Sequence, residues 1–297
     1  KKLKKQNYIT GQNRQNMIIN CFGARGSIPV SGKQFLEFGG NTTCIEVVSE
    51  NGDRVIIDGG TGIKTIGEQY LEKKIHNITI LFTHYHFDHV MGLPFFKPLF
   101  IKNNKIRIIA PGYYTSHPKE IFAKIIEPPA FPITLETING ADIKIEKLEK
   151  KEFKIGSLNI SSIPLSHPNG GYGYKFTEND KSFVFLTDNE LNYMHNNEYS
   201  FENYVDFVKN SDLLIHDAEF LPQEYNKVKM WGHSTYDKVV ELAVKGKVKQ
   251  TGLFHHNQSR NDDEVRKLFN LCVESANCHS DFKETFFPVK QDDTYTI

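Results

Sequence analysis

The run Thr83-His84-Tyr85-His86-Phe87-Asp88-His89 constrains this chain more than any other segment. Three imidazoles and a carboxylate follow directly on the apolar stretch Ile78–Phe82. Such a stretch reads as a buried strand, and a strand ending in a tight turn can aim several side chains at one point. Burying that group without a cation is costly, and imidazole with carboxylate suits first-row divalent metals. The fold must therefore carry a strand to an edge where a metal can be held.

Four more polar residues stand where apolar segments end. Asp58 closes Ile56-Ile57-Asp58, His167 follows Leu165-Ser166, Asp188 closes Phe185-Leu186-Thr187-Asp188, and His255 follows Leu253-Phe254. Read alone, His167 suits a surface turn and Asp188 a turn or cap. Read with the histidine run, each sits where a ligand belongs. His255 and His256 are adjacent, so one of them is expected to ligate, and the spacing favours His255.

The remaining pattern is β-rich with helices interspersed. Strands are expected over 17–22, 42–48, 54–57, 77–83, 105–110, 143–148, 158–164, 172–176, 183–186, 213–215 and 252–254. Helices are expected over 62–73, 117–126, 200–209, 234–245 (with Ser234 as N-cap) and 261–274 (capped by Asn261 or Asp262). This fits two sheets packed face to face with helices outside. The charged run Lys147–Lys154 reads as a solvated hairpin edge. Residues 1–16 read as a polar tail, and 17–297 as one domain.

Composition excludes several classes. Lys+Arg and Asp+Glu balance at 36 each, so no global field holds a nucleic-acid backbone, and an anionic substrate must be held locally. No apolar run reaches membrane-spanning length, and the basic start Lys1–Lys5 is not followed by a secretory apolar stretch. Cys21, Cys44, Cys272 and Cys278 are too scattered for a disulfide framework, so a reducing cytoplasm is the default. Cys272 and Cys278 with His279 do not have the spacing of a zinc motif, and ordinary thiols are expected.

On these residues the chain is similar to the metallo-β-lactamase superfamily, over most of 17–297. The resemblance implies an α+β fold, a four-layer αββα sandwich, with metals at the sheet edge. It implies that His84, His86 and His167 hold one metal, that Asp88, His89 and His255 hold another, and that Asp188 bridges them. Asp58 would fix ligand geometry through hydrogen bonds.

Three further motifs resemble the ribonuclease Z-like and phosphodiesterase-like branch. They are Gly23-Ala24-Arg25-Gly26-Ser27-Ile28-Pro29 with Gly39-Gly40-Asn41-Thr42-Thr43-Cys44, then His216-Asp217-Ala218-Glu219-Phe220, then Gly232-His233-Ser234-Thr235. They imply that His233 protonates the leaving oxygen and that Asp217 orients it, while His216 is structural. Arg25 and Arg260 are candidates for phosphate contact, with Asn41 and His256 as weaker ones.

The spans from His167 to Asp188 and from Asp188 to His216 leave no room for the long arm by which ribonuclease Z grasps tRNA. The expected function is a metal-dependent phosphodiesterase of small substrates, cyclic nucleotides foremost. Two divalent ions, expected to be zinc with manganese or iron as alternatives, would bridge a hydroxide that Asp88 orients. The shared ligand motif leaves open a hydrolase of a lactone, thioester or β-lactam, an RNA-processing nuclease, and a di-iron sensor or redox protein. The resemblance implies a homodimer. Glu127–Pro132 is either a cover over the site, a dimer contact or a plain connector.

Overall fold

Val55, Ile56 and Ile57 are all buried, yet they face two different cores: Val55 and Ile57 point one way, Ile56 the other. The same alternation runs through Phe183–Leu186, where Phe183 and Phe185 join the first core and Val184 and Leu186 a third. Strands apolar on both faces must be covered on both faces, and this dictates four layers. The computed structural model describes residues 16–112, 116–195, 199–277 and 285–297.

One sheet contains β1 (Ile18–Gly23), β2 (Cys44–Val48), β3 (Arg54–Ile57), β4 (Asn77–Leu81), β5 (Lys105–Ala110) and β6 (Asp142–Lys147), in the order β14-β1-β2-β3-β4-β5-β6, with β14 at Thr294–Thr296. The other contains β7 (Glu152–Ile155), β8 (Leu158–Pro164), β9 (Tyr172–Glu178), β10 (Lys181–Leu186), β11 (Leu213–Asp217), β12 (Gln250–Phe254) and β13 (Thr285–Pro288), in the order β13-β12-β11-β10-β9-β8-β7. In the first sheet β3 to β6 run parallel, and in the second β10 to β13 do. The core between the sheets is aromatic on one side, with Tyr174, Phe176, Phe183, Phe185 and Phe254, against aliphatic residues such as Ile19, Ile45 and Ile57.

Helices α1 (Ile63–Glu72), α2 (Phe87–Val90) and α3 (Pro118–Ile125) follow the first sheet's strands, and Ile63, Ile66 and Phe122 cover its outer face. Helices α4 (Phe201–Val208), α5 (Tyr225–Val228), α6 (Tyr236–Gly246) and α7 (Asp262–Asn277) lie in the second half. Tyr204, Val239 and Leu268 cover its outer face. The result is the αββα sandwich expected from the sequence. No helix among the described residues is long and apolar enough to cross a membrane.

Three sequence expectations change. Lys147–Lys154 is not a hairpin edge, because β6 pairs with β5 in one sheet and β7 with β8 in the other, so the charged run crosses between sheets. Ser234 does not cap α6: Thr235 is the N-cap, while Ser234 Oγ donates to Asn189 O at 2.6 Å. Strands β13 and β14 were not legible, being short and bounded by charged residues. Asn261 does cap α7, accepting from Glu264 N at 3.0 Å while Glu264 accepts from Asn261 N at 2.8 Å. Cys278, His279 and the tail 1–15 lie outside the described residues; Cys272 is buried on α7.

Phe185 is fully buried and meets Phe254 edge-on at 5.4 Å. Phe185→Ala is expected to lower stability by about 3–5 kcal/mol, read as a lower urea midpoint with an unchanged slope.

Candidate metal centre

The parallel strands of both sheets end at one edge, and the polar residues that end them converge there. Asp58, Asp188 and His255 each follow a strand and each adopt a left-handed backbone, with φ of 62°, 55° and 56°. That conformation is unfavourable for residues other than glycine. Here it turns each side chain out of its strand and towards the cluster. It also separates His255 from His256: Gly26 lies so close to the His255 ring that a β-carbon would stand 2.3 Å from Nδ1.

Among the described residues three groups of possible ligand atoms form: two of four residues, and a third of Glu219, His233 and His255 that shares His255 with one of them. The first comprises His84, His86, His167 and Asp188; the second comprises Asp88, His89, Asp188 and His255. In the second, His89 Nε2 stands 3.4 Å from Asp88 Oδ2 and 3.3 Å from Asp188 Oδ2, while His255 Nε2 stands 3.1 Å from Asp88 Oδ2 and 3.4 Å from Asp188 Oδ1. In the first, Asp188 Oδ2 lies 3.6 Å from His84 Nε2 and 3.8 Å from His167 Nε2, and His167 Nε2 lies 2.9 Å from His86 Nδ1. Ligand atoms of a tetrahedral site with bonds of about 2.0–2.2 Å stand about 3.3–3.6 Å apart. His84 Nε2 and His89 Nε2 are moreover buried with no hydrogen-bond partner, which is costly unless a cation meets them. Both groups fit a divalent metal, with Asp188 common to them.

The outward-facing ring nitrogens are held as metal-ligating imidazoles require. His89 Nδ1 donates to Asp58 Oδ2 at 2.8 Å, and Asp58 also accepts from Thr83 N and Thr83 Oγ1, both at 2.7 Å. His167 Nδ1 donates to Gly232 O at 2.9 Å. Gly232 has a φ of 94°, and a β-carbon on it would sit 2.0 Å from that nitrogen, so only glycine serves. His255 Nδ1 donates to Glu219 Oε2 at 2.9 Å. Asp88 Oδ2 accepts from Ser27 N at 2.8 Å, which ties the early glycine-rich loop to the site.

Charge divides the two groups. Burial holds His84, His86 and His167 below the ordinary histidine range, so they are neutral and ready to ligate. Burial also opposes charge on His89 and His255, but there the surrounding carboxylates outweigh it and raise both well above that range. Burial likewise opposes ionisation of Asp88 and Asp188, and the facing imidazoles overcome it. In the metal-free protein, protons on His89 and His255 thus supply the positive charge that the carboxylates demand.

His233 stands outside both groups. Its ring stacks on His255 at 4.6 Å and meets His167 edge-on at 5.4 Å. Its Nδ1 is 3.5 Å from Glu219 Oε2 and 3.6 Å from Asp217 Oδ2, charge contacts without a hydrogen bond. Burial works against its charge, the carboxylates of Glu219, Asp217 and Asp188 together outweigh burial, and its pKa rises to about 9. Asp217, expected to orient His233, instead accepts from the backbone: Asn189 N at 2.9 Å and Ser234 N at 2.7 Å. It fixes the turn that carries His233. His216 is fully buried on β11, where its Nδ1 meets Asp217 O at 2.7 Å and its Nε2 meets Asn189 Nδ2 at 3.2 Å.

Four substrate-contact candidates are placed differently. Arg25 is buried, and its guanidinium donates to the carbonyls of Gly39, Asn257 and Arg260, a strut between loops. His256 is buried, its Nε2 donates to Val289 O at 2.7 Å, and burial lowers its pKa to about 3. Asn41 accepts from Thr61 Oγ1 at 3.1 Å, and Arg260 pairs with Glu224. None of the four belongs to either ligand group.

Two functional residues went unread in the sequence. Glu219 holds His255 and faces His233; its position two after Asp217 at a strand end was the available signal. Glu190 accepts from Gly232 N at 2.9 Å, Met230 N at 2.9 Å, Tyr225 Oη at 2.7 Å and His195 Nε2 at 2.8 Å. No local pattern announces it, because three of its four partners lie 35 to 42 residues on.

Asp58→Ala is expected to weaken metal binding by about 10–100-fold, measured by chelator competition on folded protein. Metal must displace the protons on His89 and His255, so affinity should rise with pH through their raised range. Calorimetry in buffers of different ionisation enthalpy should show net proton release on loading at neutral pH.

A family model described as a beta-lactamase superfamily domain matches residues 53–256. Ribonuclease Z of Picrophilus torridus is 25% identical over 304 residues, spanning 85% of this chain and 91% of that one. The metallo-beta-lactamase fold protein YhfI from Bacillus subtilis superposes with a TM-score of 0.68 at 16% identity, covering 95% of this chain and all (100%) of that one. Unliganded yeast PDE1 superposes with a TM-score of 0.64 at 13% identity, covering 95% and 99%. The breadth of the family match and the paired ligand groups place this chain in the metallo-β-lactamase superfamily, as a metal-dependent hydrolase similar to ribonuclease Z.

Proposed function

We propose that the chain is a dinuclear zinc phosphodiesterase acting on a small phosphodiester, with a cyclic nucleotide as the leading candidate. His84, His86 and His167 hold one metal, Asp88, His89 and His255 the other, and Asp188 spans both. The observation that carries the reading is His233, an imidazole poised beside both ligand groups yet belonging to neither four-residue set. A proton donor in that place suits a phosphodiesterase, whose leaving alkoxide must be protonated.

Bound divalent metals supply Lewis acidity and bring the pKa of water towards about 7. The protein does the rest. Asp88 is fixed by Ser27 N and His255, so the carboxylate keeps one orientation. Nδ1 of His233 is buried against Glu219 and Asp217, which leaves Nε2 to meet the departing oxygen. Glu219, with Asp217 and Asp188, raises the pKa of that imidazole to about 9, which favours the protonated state a general acid needs.

A second reading, an RNA-processing nuclease, is favoured by the Picrophilus ribonuclease Z match over 85% of this chain. Against it, the described residues between β10 and β11 form α4 and short connections rather than a protruding arm, and the chain carries no net charge.

Zinc-loaded protein should hydrolyse bis(p-nitrophenyl) phosphate and lose this activity on chelation. His233→Ala should lower kcat by about 10²–10⁴-fold at unchanged metal content. Cyclic nucleotides tested beside a tRNA precursor separate the two readings. Protein shown to hold two metals that turns over no phosphodiester would sink both.

A further inference from the structure

A pocket of about 480 Å³ opens beside the first ligand group, with His84, His86 and His167 forming part of its wall. Its volume falls within the range of about 300–1,000 Å³ typical of small-molecule sites. The rest of the wall is largely apolar, with Tyr85, Ile121, Pro164, Leu165 and Tyr172 prominent. No Lys, Arg, Asp or Glu lines it among the described residues. A second phosphate would find no partner here, whereas a flat, uncharged group would find two tyrosines.

These rings are held in place. The Tyr85 hydroxyl donates to Pro111 O, and its ring meets Phe122 edge-on at 5.5 Å. Tyr172 opens β9 and donates its backbone N–H to Thr83 O at 3.0 Å, one residue before His84. The wall is therefore built onto the ligand strand itself, and its preorganisation spares an ordering cost on binding.

Direction follows from what the pocket lacks. Neither His233, His255 nor Asp88 lines it. His233 is instead stacked on His255 of the second group, with His167 of the pocket's wall as its edge-on neighbour at 5.4 Å. A phosphorus placed between the ligand groups would present its leaving oxygen to His233 and its other ester arm to the pocket.

From this geometry we infer that the Tyr85–Tyr172 pocket seats the nucleobase of the ester arm that stays on phosphorus, and so sets substrate specificity. This rests on the phosphodiesterase reading above.

The test uses p-nitrophenyl esters that share one leaving group and differ in the retained arm: methyl p-nitrophenyl phosphate and thymidine 5′-(p-nitrophenyl phosphate). Zinc-loaded protein should favour the thymidine ester in kcat/KM. Tyr172→Ala should cut kcat/KM for the thymidine ester about tenfold more than for the methyl ester, the scale of one lost base stack, and chiefly through KM. Ile121→Trp, at a half-buried position on α3, should fill the pocket with the same selective loss and guards against misfolding of the first variant. Equal losses on both esters, or no preference in the unaltered protein, would overturn the inference. Calorimetry with thymidine 5′-phosphate against methyl phosphate reads the pocket without turnover. If no ester is hydrolysed, the phosphodiesterase reading fails. Base-dependent affinity abolished by Ile121→Trp would still uphold the pocket, and equal affinities would refute it.

Discussion

Asp188 is the joint on which this structure depends. Its carboxylate is buried and faces four imidazoles, His84 and His89 after β4 in one sheet, and His167 and His255 after β8 and β12 in the other. The aromatic and aliphatic core between the sheets stabilises their packing without direction. The Asp188 contacts are directional. A buried carboxylate left without matching charge costs several kcal/mol, so the sheets can close at this edge only where the opposing nitrogens reach it. The left-handed backbone at Asp58, Asp188 and His255 is tolerated because the same contacts return its cost.

The two ligand groups share that carboxylate but are not equivalent. The first takes three neutral imidazoles and Asp188 Oδ2; the second takes two imidazoles, Asp88 and both oxygens of Asp188, with Asp58 and Glu219 one step behind. Outer carboxylates raise the basicity of His89 and His255. The first group instead leans on neutral partners, Thr83 Oγ1 for His84 and Gly232 O for His167. The second site therefore offers the more negative set and the stronger competition from protons, and the first a set already deprotonated. Pairing such sites places a charge gradient along the line that a phosphodiester must span.

How much of this was legible follows the range of each interaction. The convergent His and Asp residues were, because a polar residue at a strand end leaves a local mark: apolar alternation and then His or Asp. The four layers followed from strands apolar on both faces. Side-chain saturation left no such mark. Arg25 and His256 have the chemistry to meet a phosphate, but the carbonyls that consume them, Gly39, Asn257, Arg260 and Val289, come from distant loops. Nor could the charged run after β6 reveal that it leaves one sheet for the other, since a hairpin and a crossover have the same local composition.

Glu190 shows what the missing part contributes. One oxygen of its carboxylate takes Met230 N and the Tyr225 hydroxyl, while the other takes Gly232 N and His195. Gly232 in turn offers its carbonyl to His167, and the next residue is His233. On the other flank, Asp217 grips Ser234 N and Asn189 N, one residue beyond Asp188. A single short turn, pinned at both ends by buried carboxylates, thus sets the tilt of His167 and the place of His233, the proposed proton donor, together. Preorganisation of this kind is what lets a site stabilise developing charge without rearranging when the reaction occurs. The residues that provide it never touch the reacting atoms, which is why a search for chemically active side chains passes over them.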